Sequence, residues 1–336
     1  MTDRTPSPVT LKDIAEELSR PADTLILMHR NPDGDAVGSA FALRAVLEIL
    51  GSRAWCLCDA EIPERLRFLS RGVQESVLPA SVPFDAASAR VIAVDVASPA
   101  QLGGLRKAFE GRTDLMIDHH ATGTPFASLC YVDGKAAATG EILLDVVLDL
   151  ESDGKLWLSP PIAEPLYAAI SSDTGCFRYS NVTIRTHLLA AELVAAEIDC
   201  AKINHLLFDS KSMSQLRAEA MGVQKLRVFY GGRVAVIAVS FEERQAAGLA
   251  ESDMETLIDV ARSLAGAEVA MTVRQPTDAP QFRVSTRSSG AFNVAKFCAG
   301  FGGGGHEKAA GCTVFAPNID SAVKLLIDSL DFSDQP

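Results

Sequence analysis

The segment MHRNPDGDAVGSA places His29, Asp33 and Asp35 on one short stretch. Imidazole and carboxylate together suit divalent first-row metals, and carboxylate-rich sets favour manganese or magnesium over zinc. Asp33 and Asp35, with Gly34 between them, can face different ions. The same residues also suit a turn whose aspartate caps a helix starting near Ala36, and the segment alone leaves both readings open. Three further segments end in acidic or imidazole groups. VIAVDVASP closes an apolar run at Asp95, MIDHHATG sets Asp118, His119 and His120 side by side, and AAISSDTGCFRYS carries Asp173. Asp95 and Asp173, taken singly, serve equally well as turn or cap formers. Two adjacent histidines in a chain with only six point to a site, because neighbouring residues can divide ligand and substrate contacts between them.

A second group lies near the C-terminus. FGGGGHEKAAGC runs four glycines into His306, and VSTRSSGAFNVAKF sets Arg287 beside Ser288 and Ser289. Glycines without side chains let a phosphate approach backbone N–H groups closely. Gly304, Gly305 and His306, with Arg287 and Ser288 as a guanidinium–hydroxyl clamp, form a candidate phosphate site. The run lacks the GK[ST] ending of a nucleotide-binding P-loop. No Ser–His or Cys–His pairing suggests a covalent intermediate.

These residues need a scaffold. Residues 24–29, 90–95 and 114–118 read as short apolar strands, and 36–50 as a helix closed by Gly51. Residues 137–150 and 161–171 are helical in pattern. Alternating strands and helices imply right-handed crossovers and a parallel sheet. Ligands then bind at the C-terminal strand ends, where His29, Asp95 and Asp118 fall. Residues 186–226 read as helical throughout. A hairpin over 227–240 turning at Gly231-Gly232, strands over 267–275, 281–287 and 311–315, a glycine-rich loop at 300–305 and a helix over 319–330 complete a second segment. The expected architecture is a doubly wound, mostly parallel α/β domain over residues 1–208. A helical connector runs to about residue 216, and a smaller α/β domain covers 216–336. The active site is expected in the cleft between them.

Composition bounds the partners. The chain has 336 residues, a net charge of −12 and 6% aromatic residues. Binding of long duplex DNA rests on many Lys/Arg–phosphate contacts, which this balance disfavours, but a small anionic substrate in a locally positive cleft is compatible with it. No long apolar run suggests a membrane span, and MTDRTPSPVT offers no apolar leader. The seven cysteines are scattered, which suits reduced thiols and a cytoplasmic location. A homodimer is compatible with the sequence.

In order, HRNPDGDAVGS, VIAVD, IDHH and SSDTGCFRYS resemble the motifs of the DHH phosphoesterase superfamily. RSSGAFNVAKFCAGFGGGGHEKAAGC resembles its associated C-terminal domain. The length and this pairing of domains are similar to the bacterial nano-RNases, oligoribonucleases that also dephosphorylate 3′-phosphoadenosine 5′-phosphate. The resemblance implies a manganese-dependent phosphodiesterase or phosphatase, acting as an exonuclease on short single-stranded RNA or dinucleotides. It implies two Mn(II) ions, with Mg(II) or Co(II) as substitutes. One would be held by His29, Asp33 and Asp95, the other by Asp35, Asp95, His119 and Asp173, with Asp95 bridging. His120 would contact the scissile phosphate or leaving oxygen, and Asp118 would orient the histidines. Arg287, Ser288, Gly304, Gly305 and His306 would bind substrate. Other readings are a cyclic-di-AMP or linear dinucleotide phosphodiesterase, a polyphosphate or pyrophosphate hydrolase, and an inactive nucleotide sensor.

Overall fold

The computed structural model describes residues 6–70 and 77–332; residues 1–5 of MTDRTPSPVT lie outside them. The chain divides into two compact units, Met1–Ser210 and Lys211–Pro336.

The first unit carries strands β1 (Ser7–Pro8), β2 (Asp23–Leu27), β3 (Arg53–Leu57), β4 (Arg90–Val94), β5 (Leu115–Asp118) and β6 (Leu129–Val132). Its helices are α1 (Leu11–Leu18), α2 (Gly34–Ile49), α3 (Arg106–Phe109), α4 (Thr139–Ser152), α5 (Pro160–Asp173), α6 (Ile184–Ala195) and α7 (Cys200–Asn204). The strands pair in the order β1-β6-β5-β4-β2-β3, and every pairing is parallel. Period-two alternation splits each central strand between two cores. Ile26, Ile92 and Ile117 face α2, α4 and α5, while Leu25, Leu27, Val91 and Ala93 face Leu102, Leu105 and Phe109. Apolar residues on both sheet faces explain why these strands read as continuous hydrophobic runs.

From β2 the chain moves outward to β3, then returns to place β4 on the other side of β2. The strand order therefore reverses between β2 and β4. A parallel sheet opens its binding crevice at such a switch point, outside the carboxyl strand ends. His29 follows β2 there and Asp95 follows β4.

Helix α2 is buried on nearly every side, as expected of a helix apolar all round. It begins at Gly34 because the Asp33 carboxylate accepts from the N–H of Asp35 and of Ala36, at 3.1 Å each. It ends with Gly51 in the left-handed region at φ +88°, where the Ser52 N–H reaches back to the Leu47 carbonyl at 2.8 Å.

The second unit carries α8 (Met213–Gln224), β7 (Leu226–Phe229), β8 (Val234–Val239), α9 (Phe241–Ala246), α10 (Leu257–Arg262), β9 (Val269–Arg274), β10 (Gln281–Ser288), α11 (Val294–Ala299), β11 (Gly304–His306), β12 (Ala309–Phe315) and α12 (Ile319–Asp328). Its sheet runs β11-β12-β10-β9-β8-β7. The hairpin of β7 and β8 turns at Gly231 and Gly232, both at positive φ.

Two expectations are corrected. Residues 186–226 hold several helices, but they are not helical throughout. Helix α6 stops at Ala195, Glu197 sits at φ +59°, and Asp199 caps α7 through the N–H of Lys202. A second break precedes α8, where Ser212 forms a capping box with Gln215, and Leu226 already belongs to a strand. The glycine run is also not wholly a loop. Gly304–His306 pairs antiparallel with Ala309–Gly311, because glycines leave space for the close backbone approach; a Cβ on Gly305 would lie 2.5 Å from the Ala309 carbonyl. Among the described residues, no helix is long and apolar enough to cross a membrane.

Candidate active site

Eight of the residues singled out in the sequence converge at the C-terminal ends of β2, β4 and β5. His29 lies just past β2, Asp95 just past β4, and Asp118 is the last residue of β5, with His119 and His120 following. Asp33 and Asp35 open α2, and Asp173 closes α5.

Three overlapping donor sets form there: His29 with Asp33 and Asp95, Asp35 with His119 and Asp173, and Asp95 with Asp118 and His120. In the third the His120 ring is already engaged by Asp118, so the first two are the metal candidates. In the first, His29 Nε2 lies 3.8 Å from Asp33 Oδ1 and 3.6 Å from Asp95 Oδ2. In the second, His119 Nε2 lies 3.7 Å from Asp35 Oδ2 and 3.3 Å from Asp173 Oδ2. Asp95 Oδ1 stands 3.6 Å from His119 Nε2. One carboxylate thus turns one oxygen to each of these two. Its backbone sits at φ +56°, a conformation that aspartate tolerates better than most residues and that recurs at functional sites.

The tautomer of His119 follows from its partner. Its Nδ1 lies 3.2 Å from the Ala136 carbonyl, which can only accept, so Nδ1 carries the proton and Nε2 turns its lone pair to the carboxylates when the ring is neutral. A ligating histidine needs that arrangement. His120 Nδ1 pairs with Asp118 Oδ1 at 2.7 Å, so Asp118, fully buried, fixes the ring of His120.

The carboxylates crowd one another. Burial, then the charges of Asp95 and Asp173, push Asp35 well above the usual carboxylate range. Burial also raises Asp173, although a hydrogen bond from His119 opposes it. Burial disfavours charge on His29 and His119. The hydrogen bonds and charges of Asp33 and Asp95 around the first, and of Asp173, Asp35 and Asp95 around the second, outweigh it and raise both to about 11. Four carboxylates against two imidazoles, all donor atoms for hard or borderline cations and none of them thiolate, fit a divalent metal in each set.

Metal binding should then release protons. With both imidazoles protonated near pH 7 in the metal-free chain and neutral when ligating, protons compete with the cation, and affinity should rise from pH 6 towards pH 9. For the metal-free fold, the same raised values give stability that is fully present below 6.5 and lost as the pH climbs through about 11. Calorimetric titration of Mn(II) in buffers of different ionisation enthalpy should report at least about two protons released per chain at pH 7, more if Asp35 gives one up as well. A count of zero would contradict the charge states described.

The remaining candidates lie in the second unit, on or beside the two strands that flank β12. Arg287 of β10 and His306 of β11 both register with Ala309 of β12. They occupy one row and one sheet face, about 10 Å apart as two strand spacings require. Ser288 Oγ donates to the Gly290 carbonyl at 3.3 Å. Gly304 and Gly305 carry exposed backbone beside His306.

Thr139, at the start of α4, was not singled out in the sequence. Its hydroxyl donates to Asp95 Oδ1 at 3.1 Å, and its N–H donates to Asp35 Oδ2 at 2.7 Å. The segment AAATGE offers no metal-ligand type except Glu141, so its only signal is a threonine opening a helix.

Imidazole and carboxylate sets sharing one aspartate at the switch point of a parallel sheet define a metal-dependent hydrolase. Comparison with known proteins gives the family. Residues 23–170 match the DHH family, N-terminal domain, and residues 231–331 match the DHHA1 domain. A relative from Thermus thermophilus, described as a bifunctional oligoribonuclease and PAP phosphatase, is 32% identical over 91% of this chain and 88% of its own length. The crystal structure of an exopolyphosphatase-related protein from Bacteroides fragilis superposes with a TM-score of 0.85, at 21% identity, over 95% of this chain and 94% of that one. A RecJ from Thermus thermophilus, crystallised in complex with Mn2+, superposes with a TM-score of 0.54 at 15% identity, over 95% of this chain and 53% of that one. Both superpositions show the fold. The chain belongs to the DHH family of phosphoesterases.

Proposed function

We propose that this chain is a manganese-dependent phosphoesterase that hydrolyses short oligoribonucleotides and dinucleotides to mononucleotides, and 3′-phosphoadenosine 5′-phosphate to the 5′-monophosphate. The observation that carries the reading is Asp95, which turns Oδ1 towards His119 and Oδ2 towards His29 and so can bridge two cations. His29, Asp33 and Asp95 would hold one; Asp35, Asp95, His119 and Asp173 would hold the other. Imidazole in both sets favours Mn(II) over Mg(II), and the RecJ crystallised with Mn2+ supports that choice. Bound there, the cations supply an acidified water and neutralise charge on the phosphoryl oxygens.

The chain's own groups do the rest. His120, held at Nδ1 by Asp118, presents its other nitrogen to the leaving 3′-oxygen and passes it a proton. Arg287, with Ser288 and the N–H groups of Gly304 and Gly305, grips a substrate phosphate, and His306 completes that anchor from the same face. The first unit is the catalytic domain and the second the substrate-binding domain, in a cytoplasmic enzyme.

The relative from Thermus thermophilus supports the substrate class by its description, and charge supports the short length. At net −12 with 6% aromatic residues, the chain lacks the composition of a protein that tracks a long strand through a basic, base-stacking groove. Substrates of roughly two to five nucleotides should be cut best, with kcat/KM falling at least about tenfold on strands of a few dozen. An end-labelled RNA ladder at fixed salt with Mn(II) tests this, alongside 3′-phosphoadenosine 5′-phosphate, a cyclic dinucleotide and polyphosphate. Equal cleavage of long strands would point to a RecJ-like exonuclease, and preferential turnover of polyphosphate would remove nucleotides from the reading.

A further inference from the structure

The two donor sets for metal are assembled from β2, β4, β5, α2 and α5, yet one other segment bonds to three of their six residues. It is the turn into α4, Ala136–Glu141. The Ala136 carbonyl accepts from His119 Nδ1 at 3.2 Å. The N–H groups of Thr139 and Gly140 grip the two oxygens of Asp35 at 2.7 and 3.0 Å. The Thr139 hydroxyl, wholly buried, donates to Asp95 Oδ1 at 3.1 Å. The turn is itself anchored. Glu141 Oε2 accepts from the Ala137 N–H at 3.2 Å and from Arg185 of α6 at 2.8 Å. The segment is therefore anchored to its own helix and to α6 independently of the groups it orients.

The hydroxyl matters because a carboxylate rotates about its Cβ–Cγ bond. With Oδ1 fixed by a buried donor, Oδ2 must face His29, and one oxygen is committed to each donor set. Without it, both oxygens could turn to a single cation. From this we infer that Thr139 is a positioning residue for the shared carboxylate, acting through Asp95 and contacting neither cation nor substrate. The inference rests on the two-cation reading above.

Thr139→Val keeps the shape and removes the donor; Thr139→Ser keeps the donor. The full-length chain is titrated with Mn(II) alone, by calorimetry and by electron paramagnetic resonance, and its melting temperature is recorded. Wild type should bind two ions with the resonance of an exchange-coupled pair. T139V should keep its melting temperature within a few degrees and lose about 10- to 100-fold in affinity for one ion, with the coupled signal weakened or gone. T139S should return affinity to within about threefold of wild type, the scale of ordinary context effects on a retained hydrogen bond. Thr139→Ala, which removes the hydroxyl without inserting a methyl in its place, should behave as T139V and takes over its role should that variant fail to fold. If T139V or T139A binds two coupled ions as tightly as wild type, or if T139S loses as much as T139V, the positioning role is overturned. A wild-type chain that binds fewer than two ions overturns the two-cation reading and the inference with it.

Discussion

Asp95→Asn is expected to lower kcat/KM by at least about 10³-fold while the chain stays folded. A metal pair supplies several kcal/mol of transition-state stabilisation, and about 1.4 kcal/mol is a factor of ten in rate. Asn has nearly the same shape, still accepts from Thr139, and tolerates the left-handed backbone at φ +56°. It cannot serve as an anionic ligand to two cations at once. Without metal two effects oppose: losing the Asp95 charge relieves the crowding on Asp35 and Asp173, but it also removes an anion that pairs with His29, His119 and His120. The melting temperature without metal should therefore fall only modestly, with the chain still folded, while Mn(II) binding falls below two ions. Near-normal turnover in a folded variant would remove Asp95 from the centre of the chemistry. Loss of activity accompanied by loss of the fold would make its role structural.

How much of this was legible in the sequence depended on how local each cause is. The strands β2, β4 and β5 are buried on both faces, so their apolar runs stand out, and the imidazole or carboxylate at the end of each (His29, Asp95 and Asp118) marks the sheet's binding edge. Strands β3 (RAWCL) and β6 (LCYV) are as short but mix charged, aromatic and polar residues, and they escaped notice. Helix α1 was missed although Thr10 and Asp13 form a capping box, because eight residues show little more than two turns of periodicity. The break at Glu197 carries no glycine or proline; only Asp199 as a cap betrays it. Asp33 shows why its segment read two ways, since the carboxylate that caps α2 also faces His29. Thr139 was illegible for a different reason. Its partner is Asp95, 44 residues away in sequence, and nothing local in AAATGE distinguishes a hydroxyl aimed at a buried carboxylate from an ordinary helix start.

The same non-locality governs three glycines. Gly34 and Gly38 lie one turn apart on the face of α2 that meets α5, and Gly140 opens α4 against the same helix. A Cβ on Gly38 would stand 2.3 Å from the Pro165 carbonyl oxygen and 2.9 Å from Ala169 Cβ; on Gly140 it would stand 2.6 Å from Ala169 Cβ. Alanine at position 38 brings two opposed effects. It is a better helix former than glycine by about 1 kcal/mol, but the nearest obstacle is main chain inside another helix and cannot turn aside. Overpacking of this kind costs about 1–3 kcal/mol, so Gly38→Ala should be destabilised by about 1 kcal/mol net. Gly38→Val adds bulk and χ1 restriction in a helix and should lose about 3 kcal/mol or more. The functional loss follows from position. Asp35 precedes Gly38 by three residues and Asp173 follows Ala169 by four, so the two proposed ligands sit within a turn of the contact on both helices. Forcing the helices apart widens Asp35 from Asp173 across His119, and a displacement of about 1 Å can lower turnover about 10²-fold. Denaturant titration and kcat for both variants check this, with Gly111→Ala as control. Gly111 has no atom within 4 Å of an added Cβ and should stay within about 0.5 kcal/mol of wild type. If Gly38→Val matches that control in stability and turnover, the close approach of α2 and α5 is not what brings Asp35 and Asp173 to one site.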